Sequence, residues 1–244
     1  MRRDELFLPH GYNENLPEPV GIESGLDFWA RDAETRTRRV RRYQDPVYRF
    51  AARITSRDDV VLDVGCGVGD NLTNRLTGRV RRAVGVDQPS AIAIARLDHP
   101  EGEWLAGDLR DENLWSALAE LRPDVTICAD VVEHVDDPVG FLARLWHVIG
   151  PDGTLILSTP DRDRVENQPT LGPPRNPHHI REWTMPEMSR LLGVSGFEIL
   201  SSRHMLPRRY GFSTLEAKMF AWRALRFRPV PGRRSSMVFE LARA

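Results

Sequence analysis

Val61-Leu62-Asp63-Val64-Gly65-Cys66-Gly67-Val68-Gly69-Asp70 is the stretch on which the reading of this chain turns. An apolar, β-branched run carries an acid near its end, three glycines follow at alternate positions, and a helical pattern resumes over Asn71–Leu76. Glycine lets a backbone turn sharply and approach a ligand closely. A nucleotide-type cofactor requires such a loop at the carboxyl end of the first strand of an open parallel sheet. An ordinary strand-to-helix turn is the plainer alternative.

The same rhythm extends downstream. Ala83–Val86 is a second strand followed by a helix over Pro89–Leu97, and Trp104–Ala106 is a short third strand followed by a helix over Glu112–Leu121. Val125–Cys128 is a fourth, with a helix from Pro138 to Ile149, and Thr154–Ser158 is a fifth after the Pro151-Asp152-Gly153 turn. Strands alternating with helices at this spacing predict a parallel, doubly wound sheet. A helix over Met185–Leu192 and late strands over Phe197–Leu200 and Met237–Leu241 follow. Upstream, Leu26–Ile54, with Phe28 and Trp29, has helical periodicity, and Pro46 predicts a break into two helices. Residues 1–25 show no periodicity and read as an arm or lid. Thr159–Arg181 is a long Pro-rich loop of the kind kept for function. An apolar and basic helix over Phe212–Phe227 reads equally as a lid or as a dimer face.

Two more carboxylates sharpen the glycine loop. Asp87, beside Gln88, ends the second strand, where a carboxylate can accept from both ribose hydroxyls. Asp108 ends the third in Gly107-Asp108-Leu109, placed to accept from an adenine amino group. Either alone could cap a helix; three acids at successive strand ends point to one ligand. The spacing Gly-x-Gly-x-Gly differs from the Gly-x-Gly-x-x-Gly of dinucleotide folds, which argues against a nicotinamide oxidoreductase. With these motifs, residues 59–200, and more loosely 235–242, resemble the class I S-adenosylmethionine (SAM)-dependent methyltransferases. The resemblance implies an α/β, doubly wound, Rossmann-like sheet of seven strands with the last reversed. It implies SAM as cofactor, held by Asp63, Gly65, Cys66, Gly67, Gly69, Asp87, Gln88, Asp108, Leu109 and Asp130. The domain reading is then residues 1–56 as an N-terminal arm and helices on the substrate side, and 57–244 as the methyltransferase domain. The 159–183 loop and a 206–234 insertion lie near the acceptor in that reading.

Asp130, Glu133 and His134 stand at i, i+3 and i+4 after the fourth strand. A helical turn there would point all three the same way, at the mouth of the crevice. Two carboxylates and an imidazole suit a divalent cation or an acid–base centre; a helix N-terminus with Asp130 as cap and Glu133 in the capping-box place uses the same residues structurally. The segment Ala129–Val135 resembles the post-strand-four motif of small-molecule O-methyltransferases. Ubiquinone-pathway O-methyltransferases and small-RNA 2′-O-methyltransferases carry Glu-x-x-Glu-His there and bind magnesium with it. This chain has Asp130 in the first place, one methylene shorter. The run His178-His179-Ile180-Arg181-Glu182-Trp183-Thr184 resembles a later histidine motif of the small-RNA enzymes, and also one found in many bacterial sugar and polyketide methyltransferases. The resemblance implies Mg2+ or Mn2+ on Asp130, Glu133, His134 and His179, with His134 or His179 as general base.

The chain has 244 residues, 41% hydrophobic and 28% charged, which suits one full domain with an extension. A formal net charge of −1 gives no whole-protein field for a polyanion, and Arg36, Arg38, Arg39, Arg41 and Arg42 read as a solvated face. Nucleic acid is therefore disfavoured as a partner, and a small-RNA 2′-O-methyltransferase stands as the alternative enzyme. A catalytically silent SAM-binding protein is the non-enzymatic alternative. Cys66 and Cys128 are too few for a disulfide framework, and the N-terminus has no signal-peptide core, so a cytoplasmic protein without a membrane span is expected. The expected activity is methyl transfer from SAM to a hydroxyl of a small-molecule or glycosidic acceptor. A homodimer through Phe212–Phe227 is open.

Overall fold

A computed structural model describes residues 3–15, 33–164, 171–205 and 236–244. Strand β1 (Val60–Val64) is buried along its whole length, as a run of apolar and β-branched residues must be when helices cover both faces of a parallel sheet. Around it pair β2 (Arg82–Asp87), β3 (Glu103–Ala106), β4 (Val125–Ala129), β5 (Thr154–Pro160), β6 (Phe197–Met205) and β7 (Ser236–Arg243). The sheet order is β3-β2-β1-β4-β5-β7-β6. Strands β1 to β5 run parallel, and β7 lies antiparallel between β5 and β6. This is the doubly wound, Rossmann-like seven-stranded sheet with a reversed last strand that the motifs implied. The described helices are α1 (Ala33–Ile54), α2 (Asp70–Arg75), α3 (Pro89–Asp98), α4 (Glu112–Glu120), α5 (Pro138–Val148) and α6 (Met185–Val194).

Because successive strand residues face opposite sides, the sheet divides its apolar residues between two cores. Val61, Ile127, Ile156 and Val238 pack with Val47, Tyr48, Leu72 and Ile92 from α1, α2 and α3. Leu62, Val84, Leu157 and Phe239 pack on the other side with Trp115, Phe141, Leu145 and Met188 from α4, α5 and α6. Strand order reverses between β1 and β4, so the crevice for a ligand opens outside their carboxyl ends.

Three expectations change. Pro46 does not divide the upstream helix: α1 runs unbroken through it. One lost amide donor is offset by anchors on either side. Gln44 donates to the Ala129 carbonyl (2.9 Å), Asp45 pairs with Arg49 and Arg75, and Val47 and Tyr48 are buried. Strand β6 continues to Met205, past a bulge between Ile199 and Ser201, although its second half is polar. Among the described residues β6 is an edge strand, where polar side chains can face water. Of residues 1–25, read as an arm or lid, residues 3–15 are described, and they place Leu6, Leu8 and Tyr12 in the core with α6 and Trp183. Phe28 and Trp29, the side chains of Arg36 to Arg42, residues 165–170 of the long loop, and the 206–234 insertion with the helix expected over Phe212–Phe227 lie outside the described residues. No helix among the described residues is long and apolar enough to cross a membrane.

The glycine loop is where backbone conformation is least replaceable. Gly65 and Gly69 have φ of 82° and 81°. A Cβ at Gly65 would overlap Val131 Cγ2, and one at Gly69 would overlap the Trp104 ring. Gly65→Ala should therefore destabilise the fold by about 2–4 kcal/mol, from left-handed strain plus crowding. Urea unfolding measures this, and a loss below about 0.5 kcal/mol, the range of an unimportant surface change, would contradict the tight approach.

Candidate active site

Each acid singled out in the sequence lies at the carboxyl edge of the sheet, but they are held differently. Asp63, in β1, is fully buried. Its Oδ2 accepts from the Tyr48 hydroxyl at 2.8 Å, while its buried Oδ1 has no partner. Burial pushes its pKa up to about 8; the Tyr48 bond opposes the rise and nearby Asp87 adds to it. A carboxylate oxygen without a partner at this depth is costly, and a ligand ammonium is the partner whose chemistry suits it. Asp87 closes β2 with Oδ2 accepting from Gly67 N–H and Oδ1 from Gln88 N–H, both at 2.7 Å. Burial pushes it up, and those two amides work against the shift. Each of its oxygens keeps a lone pair for a ribose hydroxyl.

Around these acids the loop is closed to side chains. The N–H groups of Gly65 and Cys66 donate to the Val86 carbonyl (2.9 and 3.1 Å). The Cys66 thiol is buried, with its pKa pushed well up, and a Cβ at Gly85 would strike it. Cys66 therefore forms the floor of the loop, and Gly67 and Gly69, both with positive φ, form its rim. Asp108 is bound by Arg110 (2.6 Å to Nη2), whose hydrogen bond holds its carboxyl below the usual range. An adenine amino group would have to share that carboxylate with Arg110. Gln88 leads into α3 without a side-chain cap, and the Leu109 carbonyl is taken by Trp115 Nε1 (2.7 Å). The crevice thus fits SAM at Asp63, Asp87 and the glycine loop more closely than at Asp108.

The second cluster begins one residue past β4. Asp130 does not join it. Its backbone is left-handed (φ 56°) and the short 3-10 turn starts only at Val132, so the expected helical face over 130–134 does not form. The Asp130 carboxylate accepts from Ser158 Oγ at 2.9 Å, with the side chains of Gln44 and Ser236 also in reach. Glu133, His134 and His179 do converge: their ligand atoms lie within 4.8 Å of one another. Glu133 is fully buried. Its Oε2 accepts from Thr159 Oγ1 at 2.9 Å, its Oε1 has no hydrogen-bond partner, and burial followed by the charge of Asp130 pushes its pKa well up. His179 Nε2 stands 4.0 Å from that open oxygen.

Both imidazoles are oriented through Nδ1. That of His134 meets the His178 carbonyl at 2.7 Å, and that of His179 meets Glu182 Oε1 at 2.5 Å. A carbonyl or carboxylate partner places a hydrogen on Nδ1, which leaves Nε2 as the nitrogen of each ring that faces the cluster. The rings meet edge to face, with centroids 4.7 Å apart. Packing of the ring, and then His179, pushes the His134 pKa down to about 3. His134 is itself exposed to solvent, so the direction carries the meaning: the neutral imidazole is favoured. The sequence reading assigned no role to Glu182, Thr159, Ser158 or Tyr48. Glu182 stood in the quoted 178–184 run and was the one that pattern could have shown.

The family model of the methyltransferase domain matches residues 34–202. A probable S-adenosylmethionine-dependent methyltransferase of Mycolicibacterium smegmatis is 30% identical over 188 residues, which is 73% of this chain and 70% of that protein. A ubiquinone biosynthesis O-methyltransferase of Bradyrhizobium sp. is 38% identical over 105 residues, 42% of this chain and 40% of that protein. The crystal structure of magnesium protoporphyrin IX methyltransferase from Synechocystis with bound SAH superposes with a TM-score of 0.55 at 18% identity, covering 91% of this chain and 96% of that one. At that identity the likeness speaks for the fold.

Asp63 yields a prediction that needs no substrate. The folded chain holds its proton up to about pH 8, whereas the ordinary value is 3.8. Between those values the unfolded state releases a proton that the folded state keeps, so stability falls as pH rises. Asp63→Asn removes that loss and should stabilise the chain by roughly 4–5 kcal/mol at pH 8 relative to its effect at pH 4, while weakening SAM. Denaturation of both proteins at the two pH values checks this, and a substitution effect independent of pH would contradict the buried proton.

Proposed function

The chain belongs to the methyltransferase-domain family and is a SAM-dependent methyltransferase, and from that premise we propose that it methylates a hydroxyl of a small-molecule or glycosidic acceptor with help from a divalent cation held by Glu133, His134 and His179. One observation carries the cation: two imidazoles with Nδ1 tied to acceptors, both beside a buried glutamate whose Oε1 has no hydrogen-bond partner. Metal-ligating histidines are held in this way, since the hydrogen bond on the far nitrogen fixes tautomer and ring angle. The position supports the same reading. Val131 touches Gly65, so the cluster lies one short turn from the cofactor loop.

The donor set decides among ions. With Asp130 outside the cluster, two nitrogens and one carboxylate remain. Magnesium prefers oxygen ligands and keeps its water, whereas manganese tolerates imidazole, so Mn2+ is favoured over Mg2+. Three protein ligands leave room for acceptor oxygens, and vicinal hydroxyls, as on a sugar or a catechol, suit that room. Likeness to the Bradyrhizobium O-methyltransferase over 42% of this chain supports an oxygen acceptor.

SAM supplies a methyl already activated on a sulfonium, so the chain's work is alignment and proton removal. Asp63 and Asp87 would hold the cofactor's amino and ribose groups. An ion at Glu133, His134 and His179 would supply Lewis acidity toward the hydroxyl. A His134 whose pKa is lowered, so that its ring is neutral, has a lone pair available for ligation. A second reading keeps the residues and omits the ion: His179, oriented by Glu182, accepts the hydroxyl proton itself.

Metal removal separates the two. With SAM and a panel of vicinal-diol acceptors, exhaustive chelation should abolish methyl transfer and Mn2+ should restore it. His179→Ala and Glu133→Gln should each weaken Mn2+ by about 10–100-fold or more, the scale seen even for outer-shell losses, while Asp130→Asn should leave ion binding little changed. Full activity after chelation would leave the histidine base as the mechanism.

A further inference from the structure

His179 sits on a loop, and many of the bonds that fix that loop come from the N-terminal residues. Between Leu171 and Trp183 there is no helix or regular strand. Its ties to the sheet side include the Ile180 N–H to the Glu133 carbonyl (2.8 Å), the bridge of Trp183 to Asp161, His134 Nδ1 to the His178 carbonyl (2.7 Å), Arg181 Nη1 to the Val135 carbonyl (3.0 Å) and Arg162 Nη1 to the Glu182 carbonyl (2.9 Å). The N-terminal residues supply a second set. Asn15 N–H donates to the Ile180 carbonyl (2.9 Å), and Asn15 Nδ2 faces the carbonyls of His179 (2.8 Å), Pro174 (3.1 Å) and Asn176 (3.3 Å). A side-chain amide has two N–H donors for three acceptors, so the short bond to His179 holds one and the other two share the second. The Tyr12 hydroxyl accepts from Glu182 N–H at 2.9 Å, and Arg181 Nε meets Glu14 Oε1 at 2.6 Å. Trp183 Nε1 donates to the Leu6 carbonyl at 3.0 Å.

These contacts fall on the residues that set the imidazole. Asn15 holds the backbone of His179 itself, and Tyr12 holds the backbone of Glu182, whose side chain orients the His179 ring. Tyr12 is fully buried beneath the Arg162 guanidinium, 4.8 Å from the ring centroid, and burial pushes its phenol up to about 12. It stays protonated and in place. We infer that Asn15 and Tyr12 are positioning residues for His179: the N-terminal segment is a strap that aims its Nε2 at the open oxygen of Glu133. The cation role of that aim rests on the reading proposed above; the aim itself is a property of the metal-free chain.

The strap is predicted to act on the histidine centre and not on the cofactor loop, because none of its bonds above reaches β1, β2 or the glycines. A functional site of this kind needs its supporting groups to within about half an ångström. Asn15→Ala is the sharper variant and Tyr12→Phe the milder, since Phe keeps the buried ring and removes only the acceptor oxygen.

The full-length chain and both variants would be compared in three measurements. The first is histidine side-chain nitrogen NMR of the metal-free protein. Wild type should show His179 with hydrogen on Nδ1, and Asn15→Ala should shift or mix that tautomer. The second is Mn2+ affinity by calorimetry, which should fall about 10–100-fold in Asn15→Ala, the scale of lost outer-shell support. The third is S-adenosylhomocysteine affinity, which should stay at the wild-type value in the folded fraction. A merely structural role would lower thermal stability without splitting the two affinities. If wild type binds no Mn2+ but Asn15→Ala still changes the His179 tautomer, the positioning stands and the cation reading fails. Unchanged His179 signals in both variants would overturn the inference, whatever the metal does.

Discussion

Burial of Glu133 is the constraint around which this end of the molecule is arranged. A carboxylate removed from water needs partners for both oxygens or it takes up a proton. Glu133 has Thr159 on one oxygen and a gap on the other, with His179 Nε2 4.0 Å away across it. Its backbone carbonyl meanwhile receives Ile180 N–H and so fixes the loop that brings His179 in. The same residue thereby provides the unsatisfied oxygen and the tether for the group that faces it. Removing the imidazole would leave that oxygen without the ring that faces it, and removing the acid would leave two oriented imidazoles without a common target.

The cofactor side follows a parallel logic with different means. Asp63 is also buried with one open oxygen, but its single partner is the Tyr48 hydroxyl on α1. Asp87 is satisfied by two amides of the backbone it helps to fold. The loop is thus preorganised by an acid that a ribose would share, and left unfinished at an acid that an ammonium would complete. Sites of this sort carry instability that the two sheet cores must offset.

Much of this could be read from residues in order. Val60 to Val64, the glycines at 65, 67 and 69, and the acids at 63 and 87 are local signals, because the strand, its turn and the strand-end acid obey backbone rules that span few residues. The parallel, doubly wound order of the first five strands followed from the alternation, and the seven-stranded sheet with its reversed last strand from the family resemblance. What failed locally failed for stated reasons. Pro46 is tolerated because Asp45, Val47 and Tyr48 are gripped on both sides of it. The helical face over Asp130, Glu133 and His134 was wrong at its first residue, because a left-handed Asp130 cannot start that turn. The polar end of β6 is an edge strand that apolar alternation does not mark. The bonds of Tyr12 to Glu182 and Asn15 to His179 were beyond any pattern, since more than 160 residues separate the partners.

Together these features describe a methyltransferase domain with two adjoining centres at the carboxyl edge of one sheet. In the proposed reading, glycines and acids hold the cofactor, and histidines and a buried glutamate serve the acceptor. Anomalous diffraction from crystals grown with Mn2+ and S-adenosylhomocysteine tests the central claim most directly. The account predicts one manganese peak at bonding distance from Nε2 of His134, Nε2 of His179 and Oε1 of Glu133, with Asp130 still on Ser158. The absence of a peak there at full cofactor occupancy, or a peak bound by Asp130 in place of His179, would contradict it.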